Sequence, residues 1–351
     1  MRVRLIRTSG VVLLMALALP VAAQAPLPHP PIAVRTMDQA AGQGASPLGS
    51  HLLPLQRPGE MRGAPGSTPP PVTAPDEALP YLGGRALEQP RSGEASPLAV
   101  PQLPIPGFYP ADLSNPQNGP TLVTTQFHSL YVNCPAANCW GNPDQFQADL
   151  VRSPFIQVVD QYVQSSTPNR YSVGPAGLIN VALSTTTLSA QDILAIVHAG
   201  AATFGAGGGH LYHVFLPPGV DTCDHTGQCY SPDQPSTFVF CAYHSAVNFS
   251  DLGVVLYTVE PYQAVQGCQV PAGSPNGAAD STYSTLSHEI FEAISDPIPG
   301  QGWTALNSSQ VFGAEMGDLC GGPHAVLNLN GHLYATQLEY SNTYHGCVAQ
   351  P

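Results

Sequence analysis

Apolar and polar positions change period several times along this chain, and each change predicts an element. Thr121 to Val132 alternates and is rich in β-branched and aromatic residues, so it reads as a strand. Asp144 to Val151 and Ser153 to Val163 have helical spacing, with Pro154 at the start of the second helix. Leu178 to Leu183 is a short buried strand. Ser189 is placed to cap a helix over Ala190 to Phe204, which runs into a glycine-rich stretch from Gly205 to Gly209. Strands follow at Leu211 to Leu216, Thr237 to Tyr243 and Val254 to Val259. A hairpin closes the series, Ala325 to Leu327 and His332 to Leu338 joined by Asn328-Leu329-Asn330-Gly331. Helices alternating with strands early, and antiparallel pairing late, predict an α/β or α+β fold: a mixed sheet with packed helices.

The strongest helical pattern runs from Ser281 to Pro297, with Asp280 or Ser281 as N-cap and Pro297 as the stop. Leu286, Ile290 and Ile294 form its apolar stripe. On another face His288, Glu292 and Asp296 recur at the same four-residue interval and fan over about 80°. The spacing His288-Glu289-x-x-Glu292 has the geometry of the His-Glu-x-x-His zinc helix, a carboxylate replacing the second imidazole. In that arrangement His288 and Glu292 hold the metal, and Glu289 stands over a metal-bound water as general base. The bland alternative is an amphipathic helix whose acids are solvated.

The N-terminus reads differently. Arg2, Arg4 and Arg7 precede the apolar run Val11 to Leu19, and Val21-Ala22-Ala23 offers a cleavage site, a signal peptide over 1–23. Nothing later in the sequence is long and apolar enough to span a bilayer. From 24 to 115 the chain is rich in Pro, Gly, Ala and Ser; 19 of its 38 prolines lie between Pro26 and Pro110. Such composition predicts a disordered linker or a pro-segment. Leu98 to Tyr109 is the part expected to touch the domain. Residues 116–351 then form one globular domain.

That domain is acidic: after residue 115 only Arg152 and Arg170 stand against 16 acidic residues, and the whole chain lacks lysine. That balance argues against nucleic acid and anionic membrane as partners. All 8 cysteines lie there too. In an exported chain they predict four disulfides, and sequential pairing is the simplest of the open connectivities. A cysteine-ligated zinc site is disfavoured because no C-x-x-C pair occurs.

A third protein ligand must come from outside the helix. Gly313-Ala314-Glu315-Met316-Gly317-Asp318-Leu319-Cys320 places two acids in an apolar, cysteine-anchored segment. Glu315 is the first choice, Asp318 the second, and His324 the reserve; Asp296 is expected to orient His288 or to bind the segment backbone. His198, His213 and His244 are read as structural, and His225 as an exposed loop residue. No Gly-x-Ser-x-Gly elbow, phosphate loop or dinucleotide fingerprint is present.

Several blocks carry a family resemblance: Ser287-His288-Glu289-x-x-Glu292-Ala293-x-x-Asp296-Pro297, then Gly302-Trp303, then Glu315-x-Gly317-Asp318-x-Cys320. Cys241-Ala242-Tyr243-His244 is similar to the Cys-Gly-Tyr-His block of the same family, and Asn330-Gly331, Gln337 and Cys347 to its C-terminal block. From about Leu122 to Cys347 the chain resembles the EXORDIUM or phosphate-induced protein family, in particular its bacterial secreted branch. That resemblance implies export; members keeping the His-Glu pair look like zincin-type metallopeptidases.

Two expectations follow. The first is a secreted or periplasmic zinc-dependent hydrolase acting on peptide or protein, with Glu289 catalytic and His288, Glu292, Glu315 and Asp318 as metal ligands. The second is a non-catalytic cell-surface binding protein in which the same cluster holds a structural ion, calcium or zinc. Substrate and oligomeric state are not encoded legibly.

Overall fold

The computed structural model describes residues 32–34, 46–54, 112–183, 186–305, 314–321 and 324–351. The signal-peptide reading and the expected contact from Leu98 to Tyr109 lie outside those residues. In chain order the strands are β1 (Ile32–Val34), β2 (Ser46–Pro54), β3 (Thr125–Val132), β4 (Tyr171–Val173), β5 (Gly177–Val181), β6 (Thr187–Leu188), β7 (His210–Phe215), β8 (Asp221–Cys223) and β9 (Cys229–Tyr230). They continue with β10 (Phe240–Phe249), β11 (Gly253–Glu260), β12 (His324–Leu329), β13 (His332–Gln337), β14 (Glu339–Ser341) and β15 (Gly346–Val348). The helices are α1 (Ala136–Cys139), α2 (Pro143–Leu150), α3 (Asp160–Val163), α4 (Ala190–Phe204) and α5 (Ala278–Ser295).

A mixed sheet runs in the order β1-β5-β3-β7-β11-β10-β2, with β4 also on β3. Its middle strands β3, β7 and β11 are parallel, while β10 and β2 add antiparallel pairs at one side. Buried strands of this kind are filled with apolar residues on both faces, as parallel sheets require. On one face α4 packs over Val214, Tyr243, Val247 and Val259. On the other, α5 packs with Phe127, Leu211, Phe215 and Leu256. The fold is therefore α/β with a mixed sheet, as the periodicities predict.

Local chemistry explains the boundaries. Ser189 and Asp192 form a reciprocal capping box on α4, and Gly205 (φ 122°) ends it in a conformation other residues rarely adopt. Helix α5 begins at Ala278, earlier than predicted, because Asp280 and Ser281 are used otherwise. The Asp280 carboxylate accepts from Asn276 N at 2.8 Å and Ala335 N at 3.1 Å, and Ser281 Oγ from Val270 N at 3.0 Å. The predicted second helix is instead a 3-10 turn, Phe155–Val159, leading into α3. The hairpin β12–β13 turns on Asn330 and Gly331, both with positive φ, as a two-residue loop of this type demands.

The stretch read as linker contributes both edge strands. Ile32–Val34 pairs with β5, and Ser46–Pro54 pairs with β10 over its length. Edge strands are paired on one side only, so Pro47 and Pro54 can sit in β2 without breaking a ladder on both flanks. Average composition conceals a nine-residue strand whose Leu53 is buried beside Cys241 and Ala242.

All four disulfides join sequential cysteines: Cys134–Cys139, Cys223–Cys229, Cys241–Cys268 and Cys320–Cys347. Among the described residues no helix is long and apolar enough to cross a membrane.

Candidate metal centre

Helix α5 is buried on every side, and this decides how its polar face must be read. Leu286, Ile290, Phe291 and Ile294 are fully enclosed, each contributing about 1.5–3 kcal/mol. His288, Glu289 and Glu292 are enclosed equally, at 0% exposure. The solvated-face alternative is thereby removed. A buried, unpaired carboxylate costs several kcal/mol, so it must be protonated or face a cation.

The sheet below supplies more polar groups in register. His51 on β2 lies opposite His244 on β10, which lies opposite Thr258 on β11, then His213 on β7 and Ser129 on β3. This polar row crosses five strands under α5. His213 Nδ1 donates to Thr258 Oγ1 at 2.9 Å, and Thr258 donates to Glu260 at 2.8 Å. Ser129 donates to Asp144 at 2.6 Å. The other end of the row, His51 and His244, meets the acids of α5.

The third contributor is the turn Glu315 to Cys320, fastened to β15 by the Cys320–Cys347 disulfide. Asp318 N donates to Glu292 Oε1 at 3.1 Å, locking the turn to the helix. Its carboxylate lies 2.6 Å from His51 Nε2, and Glu315 Oε1 lies 3.2 Å from the other ring nitrogen, Nδ1. His288 Nε2 is 3.1 Å from Glu292 Oε1 and 4.0 Å from Asp318 Oδ1. Gly317 lets this turn approach the helix: a Cβ there would lie 2.4 Å from His288 Nδ1.

Two ligand sets result, each with atoms within 4.8 Å of one another: His51, Glu292 and Asp318, and His244, Glu289 and Glu292. A group of this kind can hold a metal ion. His244 Nδ1 is 3.5 Å from Glu289 Oε2 and 3.6 Å from Glu292 Oε2. Those separations match the edge of about 3.3–3.6 Å between ligands at 2.0–2.2 Å on a tetrahedral ion. His244 Nδ1, Glu292 Oε2 and both Glu289 oxygens have no hydrogen-bond partner.

Of the predicted site residues, Glu292, Asp318 and Glu289 enter the ligand sets, whereas His288 and Glu315 lie beside them and belong to neither. Asp318, the second choice, joins a ligand set; Glu315, the first choice, packs between the imidazoles of His51 and His244, 3.6 Å from His244 Nε2. His324 opens β12 and is in neither set. His225 is exposed in its disulfide loop and His213 is buried in the polar row. Two imidazoles escape the sequence reading. His51 was assigned to the linker, and His244, read as structural, faces the acids directly. Gln337 Nε2 donates to the Gly317 carbonyl at 2.6 Å and meets His288 Nδ1 at 2.9 Å. That contact places the His288 ring proton on Nε2, so ligation through Nε2 requires the Gln337 amide to turn its oxygen to the ring. Asp296 binds backbone: its carboxylate accepts from Gly300 N (2.6 Å), Gln301 N (3.1 Å) and Gly302 N (2.6 Å). Its carbonyl accepts from His244 Nε2 at 3.1 Å.

The electrostatics are one-sided. Burial, then neighbouring acids, holds the Glu289, Glu315 and Glu339 carboxyls well above the usual range; burial pushes Glu260 up to about 8. Burial alone would lower His51, but Asp318 and Glu292 outweigh it and raise the imidazole to about 9. Burial, then the neighbouring His51, keeps His244 well below the usual imidazole value. Among the described residues the fixed positive charges are Arg152 and Arg170, and Arg170 is paired with Asp160.

Comparison with protein-family models, with curated proteins and with solved structures finds no match for this chain.

Proposed function

We propose that this chain is an exported metal-dependent hydrolase of the peptidase class, related to the bacterial secreted branch of the EXORDIUM family. The observation that carries the reading is the His244 imidazole, whose unpartnered Nδ1 faces the oxygens of Glu289 and Glu292 in full burial. Lone pairs directed at one another in a dry interior are mutually repulsive unless a proton or a metal cation lies among them, and a His-Glu-Glu set of this kind suits a metal. Imidazoles in both ligand sets favour an ion of the zinc class over calcium, which prefers oxygen alone. Four disulfides fit an oxidising compartment and support export.

His51, Glu292 and Asp318 would hold the ion, with His288 beside Glu292 as a further ligand once Gln337 turns its oxygen to the ring. A bound divalent cation supplies Lewis-acid polarisation of a carbonyl and acidifies water. Glu289 would take a proton from the attacking water and return it to the leaving amine, a role worth about 10²–10⁴ in rate. A nearby cation also favours ionised Glu289, the form a base needs.

A second reading has its own observation: among the described side chains of the cluster, His51 and Asp318 are the ones that reach solvent, at 19% and 12% exposure. Closed sites of this kind hold structural ions. One experiment separates the two. Zinc-loaded protein is assayed for metal content and for cleavage of a mixed peptide library. Cleavage that Glu289→Gln lowers at least about 100-fold, with zinc still bound, supports the hydrolase. Bound zinc without cleavage by the wild type supports the structural ion, and full activity of Glu289→Gln removes the assigned base.

A further inference from the structure

Glu292 belongs to both ligand sets, and the two sets differ in every other member. Its Oε1 faces His288 at 3.1 Å, while Oε2 is 3.6 Å from His244 Nδ1 and 4.0 Å from His51 Nε2. The His244 set is the better formed. Nε2 donates to the Asp296 carbonyl, which fixes the ring and leaves the lone pair on Nδ1, the arrangement in which outer hydrogen bonds orient a metal-binding imidazole. Nδ1 and Glu289 Oε2 then lie 3.5 Å apart in full burial, and neither Nδ1 nor either Glu289 oxygen has a hydrogen-bond partner. His244 and Glu289 are fully buried, whereas the His51 and Asp318 side chains are 19% and 12% exposed.

Charge points the same way. Glu260, Glu289, Glu292, Glu315 and Glu339 are all fully buried, and the chain contains no lysine. One divalent ion among His51, His288, Glu292 and Asp318 offsets two carboxylate charges, so the remaining acids either keep their protons or meet a second cation.

We propose that the cluster binds two divalent cations of the zinc class, the second held by His244, Glu289 and Glu292, with the Glu292 carboxylate shared between them. This rests on the reading above that the cluster holds a cation at all, and it changes one assignment. With the second position filled, Glu289 is an anchor, and activation of water falls to the paired ions, as in two-metal hydrolases.

The test is zinc stoichiometry. Full-length protein is loaded with zinc, dialysed against zinc-free buffer and measured by mass spectrometry, with folding followed by circular dichroism. Two zinc per chain are expected, falling to one in His244→Ala and in Glu289→Gln. Should His244→Ala fail to fold, the nearly isosteric Glu289→Gln decides. One zinc in the wild type overturns the second site and leaves the proposed hydrolase intact. No zinc, with no change in melting temperature on adding it, overturns both. Two zinc persisting in both variants places the extra ion elsewhere on the surface and overturns the assignment.

Discussion

His51 stands directly opposite His244 in the antiparallel pairing of β2 with β10, and the two ring centroids are 5.6 Å apart. Opposed residues share a face, so the edge strand delivers an imidazole to the cluster simply by pairing in this register. His51→Ala keeps the strand and removes the ring. Loss of an outer partner costs a metal site about 10–100-fold in affinity, and loss of a direct ligand should cost at least that. Zinc titration calorimetry on the refolded, chelator-treated variant checks it; unchanged affinity would take β2 out of the site.

That relationship also marks where the sequence stops being legible. The α5 pattern, the Ser189 cap, the Asn330-Gly331 hairpin and the pairing of His288 with Glu292 all follow from spacing within one segment, and spacing is visible. His51 and His244 meet through register between segments 193 residues apart, which no local period encodes. The proline content of residues 24–115 averaged β2 away. A weaker signal was present: His213, His244 and Thr258 each interrupt an apolar strand near its middle, and three such interruptions suggest one polar row. Likewise Asp280 has the right identity for a cap, but its carboxylate reaches back to Asn276 and across to the tertiary partner Ala335.

Stability of the metal-free protein should fall as pH rises from about 6.5 to 9. Glu289, Glu315 and Glu339 keep their protons far above the unfolded range and Glu260 to about 8, so the unfolded chain has ionised where the folded one has not. His51, raised to about 9, stabilises fully below its unfolded value and loses that contribution as pH climbs to 9. His244, His213 and His128 are held low by burial and act in the opposite sense, but only below about 6.5. The melting temperature in chelator should drop by at least about 5 °C across the window, and zinc should flatten the dependence. A rising curve in chelator would mean that the acids are not enclosed.

Gly317 is a test of approach distance. An alanine Cβ there would sit 2.4 Å from His288 Nδ1 and 2.7 Å from Cε1, and Gln337 holds the ring from another side. Gly317→Ala should therefore cost about 1–3 kcal/mol by overpacking, and weaken zinc binding as the ring shifts. Melting temperature in chelator reads the first effect, zinc titration the second. Loss of neither would show that the turn has room to retreat.

Asp296 separates stability from metal binding. Its carboxylate satisfies three backbone N–H groups at Gly300, Gln301 and Gly302, in a turn packed so closely that a Cβ on Gly302 would meet Ser295 O at 2.4 Å. Asp296→Ala strands the buried Gly302 N–H at about 1–3 kcal/mol, while Gly300 and Gln301 are exposed and can turn to water. At roughly 2–4 °C per kcal/mol, the melting temperature should fall by at least about 2 °C. His244 takes its hydrogen bond from the Asp296 carbonyl, a main-chain group that no substitution removes. The zinc content of folded Asp296→Asn should accordingly match the wild type. If zinc is lost while the fold survives, the side chain acts on the metal directly, and the division between the turn and the His244 site is wrong.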